Sequence, residues 1–246
     1  MNQPNNISWE KKGTIGILSI NNPPENYIRE PDFIGKEFFG EISNDSSLKG
    51  IIIKGTGRHF SAGADIEKLK HLARNEDLLF KKLSAGKDII RFIENMNVPV
   101  AAAIKGVCFG AGLEIALACH FRICSENTLF AFPETNHGIM PGLGGTILLS
   151  KLIGMGKSAE IILTGEIVNS QKALDYKVVD HVLPARELLD FSVNMLEKMT
   201  SDRDIDVIHS VMKSIHNALT LPFEEALGEE TKLFCALAVK SMTDNE

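Results

Sequence analysis

The chain has 246 residues, 44% of them hydrophobic and 24% charged, which is enough for one large domain or two small ones with a substantial core. Its 26 basic and 32 acidic residues give a net charge of −6, and this balance argues against a nucleic-acid or anionic-membrane surface. The apolar runs are too short to span a membrane, and the polar residues 1–4 begin no signal-peptide core. We therefore expect a soluble, cytoplasmic protein.

The four cysteines form neither a disulfide framework nor a metal-ligand pattern, because none is paired at short spacing or alternates with histidine. We expect no metal site, and we interpret all four as small buried hydrophobic residues. They are Cys108, Cys119, Cys124 and Cys235.

Short apolar runs bounded by Gly and Pro predict buried strands, with helical patterns between them. The predicted strands cover residues 14–20, 51–54, 98–104, 121–124 with 129–132, and 178–182. Between the second and third strands, apolar residues recur at helical spacing and predict a helix packed on one face. These residues are Leu79, Phe80, Leu83, Ile90, Ile93 and Met96. The alternation of strands and helices predicts an α/β fold.

Helical patterns dominate from residue 187 to residue 242. We expect residues 1–195 to form one core and residues 196–246 to form a separate helical layer for packing or association. The polar residues 200–205 are the expected hinge, because they offer helix N-caps.

One acidic residue lies within a helix that is apolar on all sides. Residues 110–119 have the pattern of a buried helix, and Glu114 is their only charged residue. A buried carboxylate is costly unless it is paired, hydrogen-bonded or shifted in pKa. The local pattern fits a structural glutamate held by backbone amides as well as a functional one.

A second acid, Glu134, follows Pro133, and alone it resembles an ordinary loop residue. The glycine-rich residues 141–146 follow it and predict a tight loop that opens the next helix. Such a loop leaves backbone amides available to a ligand.

A third segment, residues 58–66, follows the second predicted strand. Gly63 permits an unusual turn, and Asp65 is a plausible N-cap for a helix that continues to Leu72. The amide of Ala64 would lie at that helix N-terminus, and the amide of Ala111 would lie in the same way at the start of the Glu114 helix. If the two amides converge, they form an oxyanion hole.

Taken in order, these segments resemble the crotonase superfamily, the enoyl-CoA hydratase and isomerase family. The matching stretches are residues 59–66, 102–106, 110–119, 132–134, 138–146 and 163–166. They cover most of residues 10–185 in the family's order and spacing. The resemblance implies a spiral of repeated ββα units with a helical C-terminal association layer. It also implies chemistry in which two backbone amides stabilise a thioester enolate.

The resemblance assigns the oxyanion hole to the N–H groups of Ala64 and Ala111. Hydratases of the family carry two glutamates, and Glu114 and Glu134 occupy both positions here. They would hold one water beside the 2,3 double bond; one carboxylate would deprotonate it, and Glu134 would give a proton to C2. The amide of Gly142 would help to orient the water. Because nearby carboxylates repel, we expect one of them to stay protonated near neutral pH.

Further expectations concern what the protein binds. Ala62, Asp65 and Ile66 resemble the loop that receives the adenine of coenzyme A, which is part of the substrate, so no separate cofactor is expected. His137 is interpreted as a packing or rim histidine. The resemblance also implies a homotrimer or a dimer of trimers that binds an acyl-CoA thioester, with no nucleic-acid or membrane partner.

The implied function is that of a lyase of fatty acid metabolism, an enoyl-CoA hydratase that adds water in a syn manner to a 2-enoyl-CoA. One alternative is an isomerase that moves a double bond. Another is a dehydratase or decarboxylase acting on an acyl thioester of coenzyme A or of a carrier protein. A non-catalytic thioester-binding oligomer is less favoured, because both glutamates are present.

Three features depart from the family pattern. The segment after Asn26 lacks the usual helix-opening motif, and we expect that helix to begin near Pro31. Lys177 stands where a glycine is common, with a cost of about 1 kcal/mol if its backbone is left-handed. The chain ends at Glu246, before a further helix that hydratases carry. The expected pocket is therefore more open, completed by a neighbouring subunit, or suited to a substrate carried on another protein.

Overall fold

The computed structural model describes residues 6–243, apart from the side chains of residues 36 and 37. Residues 1–4, which bear on a signal peptide, and the chain end at Glu246 lie outside the described residues. The strands are Ile7–Lys12 (β1), Ile15–Ile20 (β2), Gly50–Gly55 (β3), Val100–Ile104 (β4), Val107–Phe109 (β5), Phe121–Ser125 (β6), Leu129–Ala131 (β7), Val168–Asn169 (β8) and His181–Leu183 (β9).

The α-helices are Lys36–Ser43 (α1), Ile66–Leu72 (α2), Glu76–Glu94 (α3), Ala111–Ala118 (α4), Gly145–Ile153 (α5), Met155–Thr164 (α6), Ser170–Asp175 (α7), Leu188–Thr200 (α8), Ile205–Thr220 (α9) and Phe223–Thr243 (α10). A 3₁₀ helix covers Pro133–His137. No helix within residues 6–243 is both long enough and apolar enough to cross a membrane.

Two sheets organise the chain. The larger has the strand order β1-β2-β3-β4-β6-β9, parallel except for the antiparallel edge strand β1. The smaller has the order β5-β7-β8. The chain passes from the large sheet to the small sheet and then into a helix twice in succession, as β4-β5-α4 and as β6-β7-α5. This repeated ββα passage confirms the predicted α/β fold and its spiral organisation.

The central strands of the large sheet, β2, β3, β4 and β6, are buried on both faces, as expected for parallel strands covered by helices. On one face, Ile17 and Ile52 pack with Leu196 of α8. On the other face, Leu18 and Ile53 belong to a larger core that includes residues of α3 and α4. The second face therefore supports the two helices that build the site described below.

Several sequence expectations differ from the observed elements. Strands β1, β5 and β8 were not predicted, and the last strand begins at His181 instead of residue 178, because the amides of Val178 and Val179 bond to Ala173 O at the end of α7. The expected apolar face of α3 is wrong for Phe80, whose surface is 73% exposed. The buried face of α3 consists of Gly86, Ile89, Ile90 and Ile93.

The helix expected near Pro31 begins instead at Lys36. Two contacts fix the preceding segment outside a helix. Ile28 forms a β-bridge with Ala64, and Lys82 on α3 binds the carboxylates of Glu30 and Asp32. Lys177 has a φ of 62°, so its backbone is left-handed. This is the condition under which we expect the replacement of the common glycine to cost stability.

The C-terminal helices follow a short connection. Helix α8 ends at Thr200, after passing through the predicted boundary at residue 195, and Asp204 caps α9 by accepting a hydrogen bond from the Asp206 amide. Lys49 donates to the carbonyl oxygens of Thr200, Ser201 and Arg203, which ties the connection to β3. The division into residues 1–195 and 196–246 stays a prediction.

Three cysteines are buried as expected, namely Cys108, Cys119 and Cys124, whereas Cys235 is exposed. The expectation that all four are buried is therefore wrong for Cys235. Cys235 lies on α10, a helix without a buried residue. The apolar residues next to it in the sequence therefore did not indicate burial.

Candidate active site

Glu114 is buried in the first turn of α4, and its carboxylate is held by a loop. Glu114 Oε1 accepts hydrogen bonds from the amides of Leu143 and Gly145, each at 2.7 Å. Burial raises the pKa of Glu114, while the bonds from this loop oppose the increase because they favour the charged form. Two of the loop amides that we expected to be available to a ligand are therefore bound to Glu114.

Glu134 lies on the 3₁₀ helix, with its carboxyl group beside Gly110. A Cβ placed on Gly110 would lie 2.6 Å from Glu134 Oε1. Among the described residues, no group hydrogen-bonds to the buried Glu134 Oε2. The pKa of Glu134 is raised to about 7, chiefly by burial and to a lesser extent by the charge of Glu114. The expected repulsion is therefore present, but burial is the larger cause.

The loops that carry Ala64 and Ala111 approach each other closely. Gly63 has a φ of 94°, and a Cβ placed on it would lie 2.8 Å from Phe109 O and 3.6 Å from Ala111 N. The bridge to Ile28 uses Gly63 O and Asp65 N. The Ala64 N–H therefore points away from Ile28, since it shares a trans peptide group with Gly63 O, and the two point in opposite directions.

Ala111 is the first residue of α4, so its N–H has no acceptor within the helix. Gly110, with a φ of 47°, precedes it as the N-cap. Ala111 and Ala64 both border the same cavity. Two backbone donors are thus available on one side of that cavity.

The cavity has a volume of about 1020 Å³ and is bordered by every site residue that the sequence predicted. These residues are Ala62, Ala64, Asp65, Ile66, Ala111, Glu114, Glu134 and Gly142. Asp65 caps α2 as expected, with its carboxylate accepting from the Lys68 amide at 3.2 Å. His137 is exposed and also borders the cavity, which agrees with a position at the rim.

The sequence did not reveal which residues contact the two acids. The amides of Leu143 and Gly145 lie in a recognised glycine-rich loop, but nothing in the sequence pairs them with Glu114. Gly110 could have been found, because a glycine directly before an apolar helix signals a special backbone or a close approach. Lys87, which also borders the cavity, was missed because lysine on an amphipathic helix usually lies on its solvated face.

Comparisons with known proteins show which family this chain resembles. The family model for enoyl-CoA hydratase/isomerase matches residues 10–244. A short-chain-enoyl-CoA hydratase of Clostridium acetobutylicum is 34% identical over 94% of this chain and 88% of its own length. A crotonyl-CoA hydratase of Syntrophomonas wolfei is 35% identical over 75% of this chain and 71% of its own length.

Among solved structures, an enoyl-CoA hydratase from Bacillus anthracis matches with a TM-score of 0.84 and 27% identity. The match covers 93% of this chain and 89% of that one. The agreement therefore extends over nearly the whole chain. The chain belongs to the enoyl-CoA hydratase/isomerase family.

Proposed function

We propose that the protein is an enoyl-CoA hydratase, which adds water across the 2,3 double bond of a 2-enoyl-CoA. The observation that carries this proposal is the pair of acids, Glu114 and Glu134, which face one cavity in different environments. Glu114 has two amide donors, whereas Glu134 has a buried oxygen that no group within the described part of the chain hydrogen-bonds. One acid is therefore suited to be a base and the other to hold a proton.

The thioester carbonyl oxygen would accept hydrogen bonds from the amides of Ala64 and Ala111. Attack on C3 moves electrons toward this oxygen and gives it the charge of an enolate. Backbone donors that are already oriented toward this charge stabilise the transition state, and one donor typically contributes about 3–4 kcal/mol. Because these donors belong to the main chain, their positions depend on the local backbone.

The added water would lie between the two acids, with the Gly142 amide helping to orient it. The Glu114 carboxylate takes a proton from the water as its oxygen bonds to C3, and protonated Glu134 gives a proton to C2. Both new bonds form on the face that the acids share, so the addition is syn. Glu114 then carries the proton and Glu134 lacks one, and a proton transfer between them or through solvent restores the starting state.

Coenzyme A enters this proposal as part of the substrate, without a separate cofactor. Its adenine would lie beside Ala62, Asp65 and Ile66 at the start of α2. The Asp65 carboxylate already caps that helix, so its part in binding is to fix the loop. Lys68, on the same helix, borders the cavity and supplies positive charge for the phosphate groups.

We also propose that the protein forms a homotrimer or a dimer of trimers through its C-terminal helices. Along α9, Val211, Ile215 and Leu219 are exposed at intervals of four residues, and they therefore share one helix face. Phe234 on α10 is exposed as well. An apolar helix face of this kind is typical of an association surface.

The first test is incubation with crotonyl-CoA, because two of the relatives are named for short-chain or crotonyl-CoA hydration. Hydration would remove the ultraviolet absorbance of the conjugated enoyl thioester and add the mass of one water to the product. A 3-enoyl-CoA serves as the matched substrate. If absorbance appears from the 3-enoyl-CoA while crotonyl-CoA stays intact, the protein is an isomerase; if neither changes, the hydratase proposal is wrong.

A further inference from the structure

Helix α3 runs along the loop that holds Glu114. A Cβ placed on Gly142 would lie 3.4 Å from Leu83, and one placed on Gly144 would lie 4.0 Å from Ile90. Between these contacts, a Cβ on Gly86 would lie 2.7 Å from the side chain of Leu143. The two turns of α3 from residue 83 to residue 90 therefore cover the loop from residue 142 to residue 144.

Lys87 lies within these two turns, four residues after Leu83, and it borders the cavity together with Glu114. Apart from the side chains of residues 36 and 37, the described part of the chain offers no hydrogen bond or ion pair to Lys87. Lys82, one turn earlier, is instead paired with Glu30 and Asp32. Lys87 is exposed, and it thus presents a hydrated positive charge at the border of the cavity that holds the proposed acids.

The direction of the substrate follows from the proposed function, on which this inference rests. The thioester carbonyl lies at Ala64 and Ala111, and C3 lies beside Glu114. An acyl chain that continues beyond C3, away from the carbonyl, must pass Glu114. The wall beyond Glu114 is the loop from residue 142 to residue 144, covered by the turn of α3 that carries Leu83 and Lys87.

We propose that Lys87 is a specificity-determining residue that selects 2-enoyl thioesters whose acyl chain ends in a carboxylate. The long side chain of lysine can lay its methylene groups along Leu83 while its ammonium group meets the end of the chain. The carboxylate would gain a charge-assisted hydrogen bond that an uncharged chain end cannot form. A purely apolar chain would gain no such bond, and the exposed Lys87 ammonium would stay in contact with water.

Lys87 has a competing role that the experiment must separate from this one. Its charge favours the ionised form of Glu114, so its loss could weaken catalysis with every substrate. That effect would be the same for a charged and an uncharged acyl chain. A change in selectivity between two chains of nearly equal size is therefore the measurement that distinguishes specificity from a general effect.

Binding of glutaryl-CoA and of its monomethyl ester, measured by titration calorimetry, supplies this comparison without any reaction. The wild-type protein should bind glutaryl-CoA more tightly than the ester. In Lys87→Met, this preference should fall by about two- to fivefold, since a charge pair at an exposed position is lost. Lys87→Arg should keep most of the preference. Lys81→Met, which removes an exposed lysine of α3 outside the cavity lining, should leave the preference unchanged.

Hydration of glutaconyl-CoA and its monomethyl ester, compared in the same variants as ratios of kcat/KM, provides a second readout. If Lys87→Met weakens both ligands equally, or neither, or if the wild type shows no preference, the assignment of Lys87 is overturned. If the binding preference depends on Lys87 while no enoyl thioester is hydrated, the proposed function fails and the selectivity remains. Failure of the two proposals therefore gives different results.

Discussion

The carboxyl group of Glu134 lies directly against Gly110, where a Cβ would come within 2.6 Å of Glu134 Oε1. Gly110 is the N-cap of α4, and its carbonyl accepts the first hydrogen bond of that helix from the Glu114 amide. The first turn of α4 therefore fixes the positions of both acids. Glu134 packs against the start of this turn, and Glu114 lies at the end of the same turn. The missing side chain at residue 110 makes room for the second acid.

Replacement of this acid by its amide tests the proton-donor role. We expect Glu134→Gln to lower kcat by about a hundredfold or more, because general acid catalysis commonly contributes that much, with little change in KM. Steady-state hydration of crotonyl-CoA measures both quantities. Glu41→Gln, at an exposed position on α1 outside the cavity lining, is the matched control. Turnover like that of the wild type in Glu134→Gln would rule out this assignment.

The pH dependence of hydration should report the same proton. Glu134 must be protonated to act as the acid, and its pKa is raised to about 7. We therefore expect kcat/KM to fall as pH rises through about 7, by roughly tenfold for each further pH unit. The residual activity of Glu134→Gln should lack this decline. If kcat/KM of the wild type did not change from pH 6 to pH 9, the role of Glu134 as the proton donor would be contradicted.

Stability should depend on pH through Glu134 as well. Its pKa is about 7 in the folded protein against an ordinary value of 4.5, so the folded protein loses stability as pH rises between these values. The loss is at most about 3 kcal/mol. Relative to the wild type, the free energy of unfolding of Glu134→Gln should therefore rise from pH 4 to pH 8. Urea unfolding at both pH values measures this difference, and a difference independent of pH would contradict the assignment.

The oxyanion hole can be tested by moving its backbone. A Cβ on Gly112 would lie 2.7 Å from Ser61 Cβ and 2.9 Å from Ser61 O, so Gly112→Ala must shift the start of α4 that carries the Ala111 amide, or the Ser61 segment that leads to Ala64. We expect unfolding to become easier by about 1–3 kcal/mol and kcat to fall. Gly156→Ala is the matched control, because a Cβ there meets nothing within 4 Å. The control should gain about 0.4–1 kcal/mol of stability and keep its turnover.

Assembly can be tested on the apolar face of α9. Ile215→Glu places a charge among Val211 and Leu219, and it should shift the protein toward monomers in sedimentation or light-scattering measurements. Lys213→Gln, at an exposed polar position of the same helix, should leave the assembly unchanged. A wild-type protein that is monomeric at micromolar concentration would contradict the proposed trimer.

Local patterns predicted the elements whose signals lie within a few residues of chain. The buried helix around Glu114 and the cap at Asp65 were both expected, because an apolar run and an N-cap residue act locally. Strand β1, with its polar and exposed residues, was missed because a sheet edge needs little hydrophobicity. Strand β5 has only three residues and therefore shows no period.

Contacts between distant segments could not be predicted in this way. The amides of Leu143 and Gly145 reach Glu114 from about thirty residues along the chain, and no local rule pairs them. The segment near Pro31 has a good helix start, but its ion pairs with Lys82 on α3 compete with helix formation. The tertiary structure therefore decides both the surroundings of the acids and the beginning of α1.

Because three of the four thiols are buried and one is exposed, a thiol reagent can modify the folded protein at one position. Cys108, Cys119 and Cys124 are buried, and burial raises the pKa of each, so they stay protonated and protected from reagents. Cys235 is exposed on α10, in the part of the chain proposed to associate. A maleimide dye would therefore attach to Cys235 alone and provide an intrinsic labelling point for following subunit exchange by fluorescence, without any engineered cysteine.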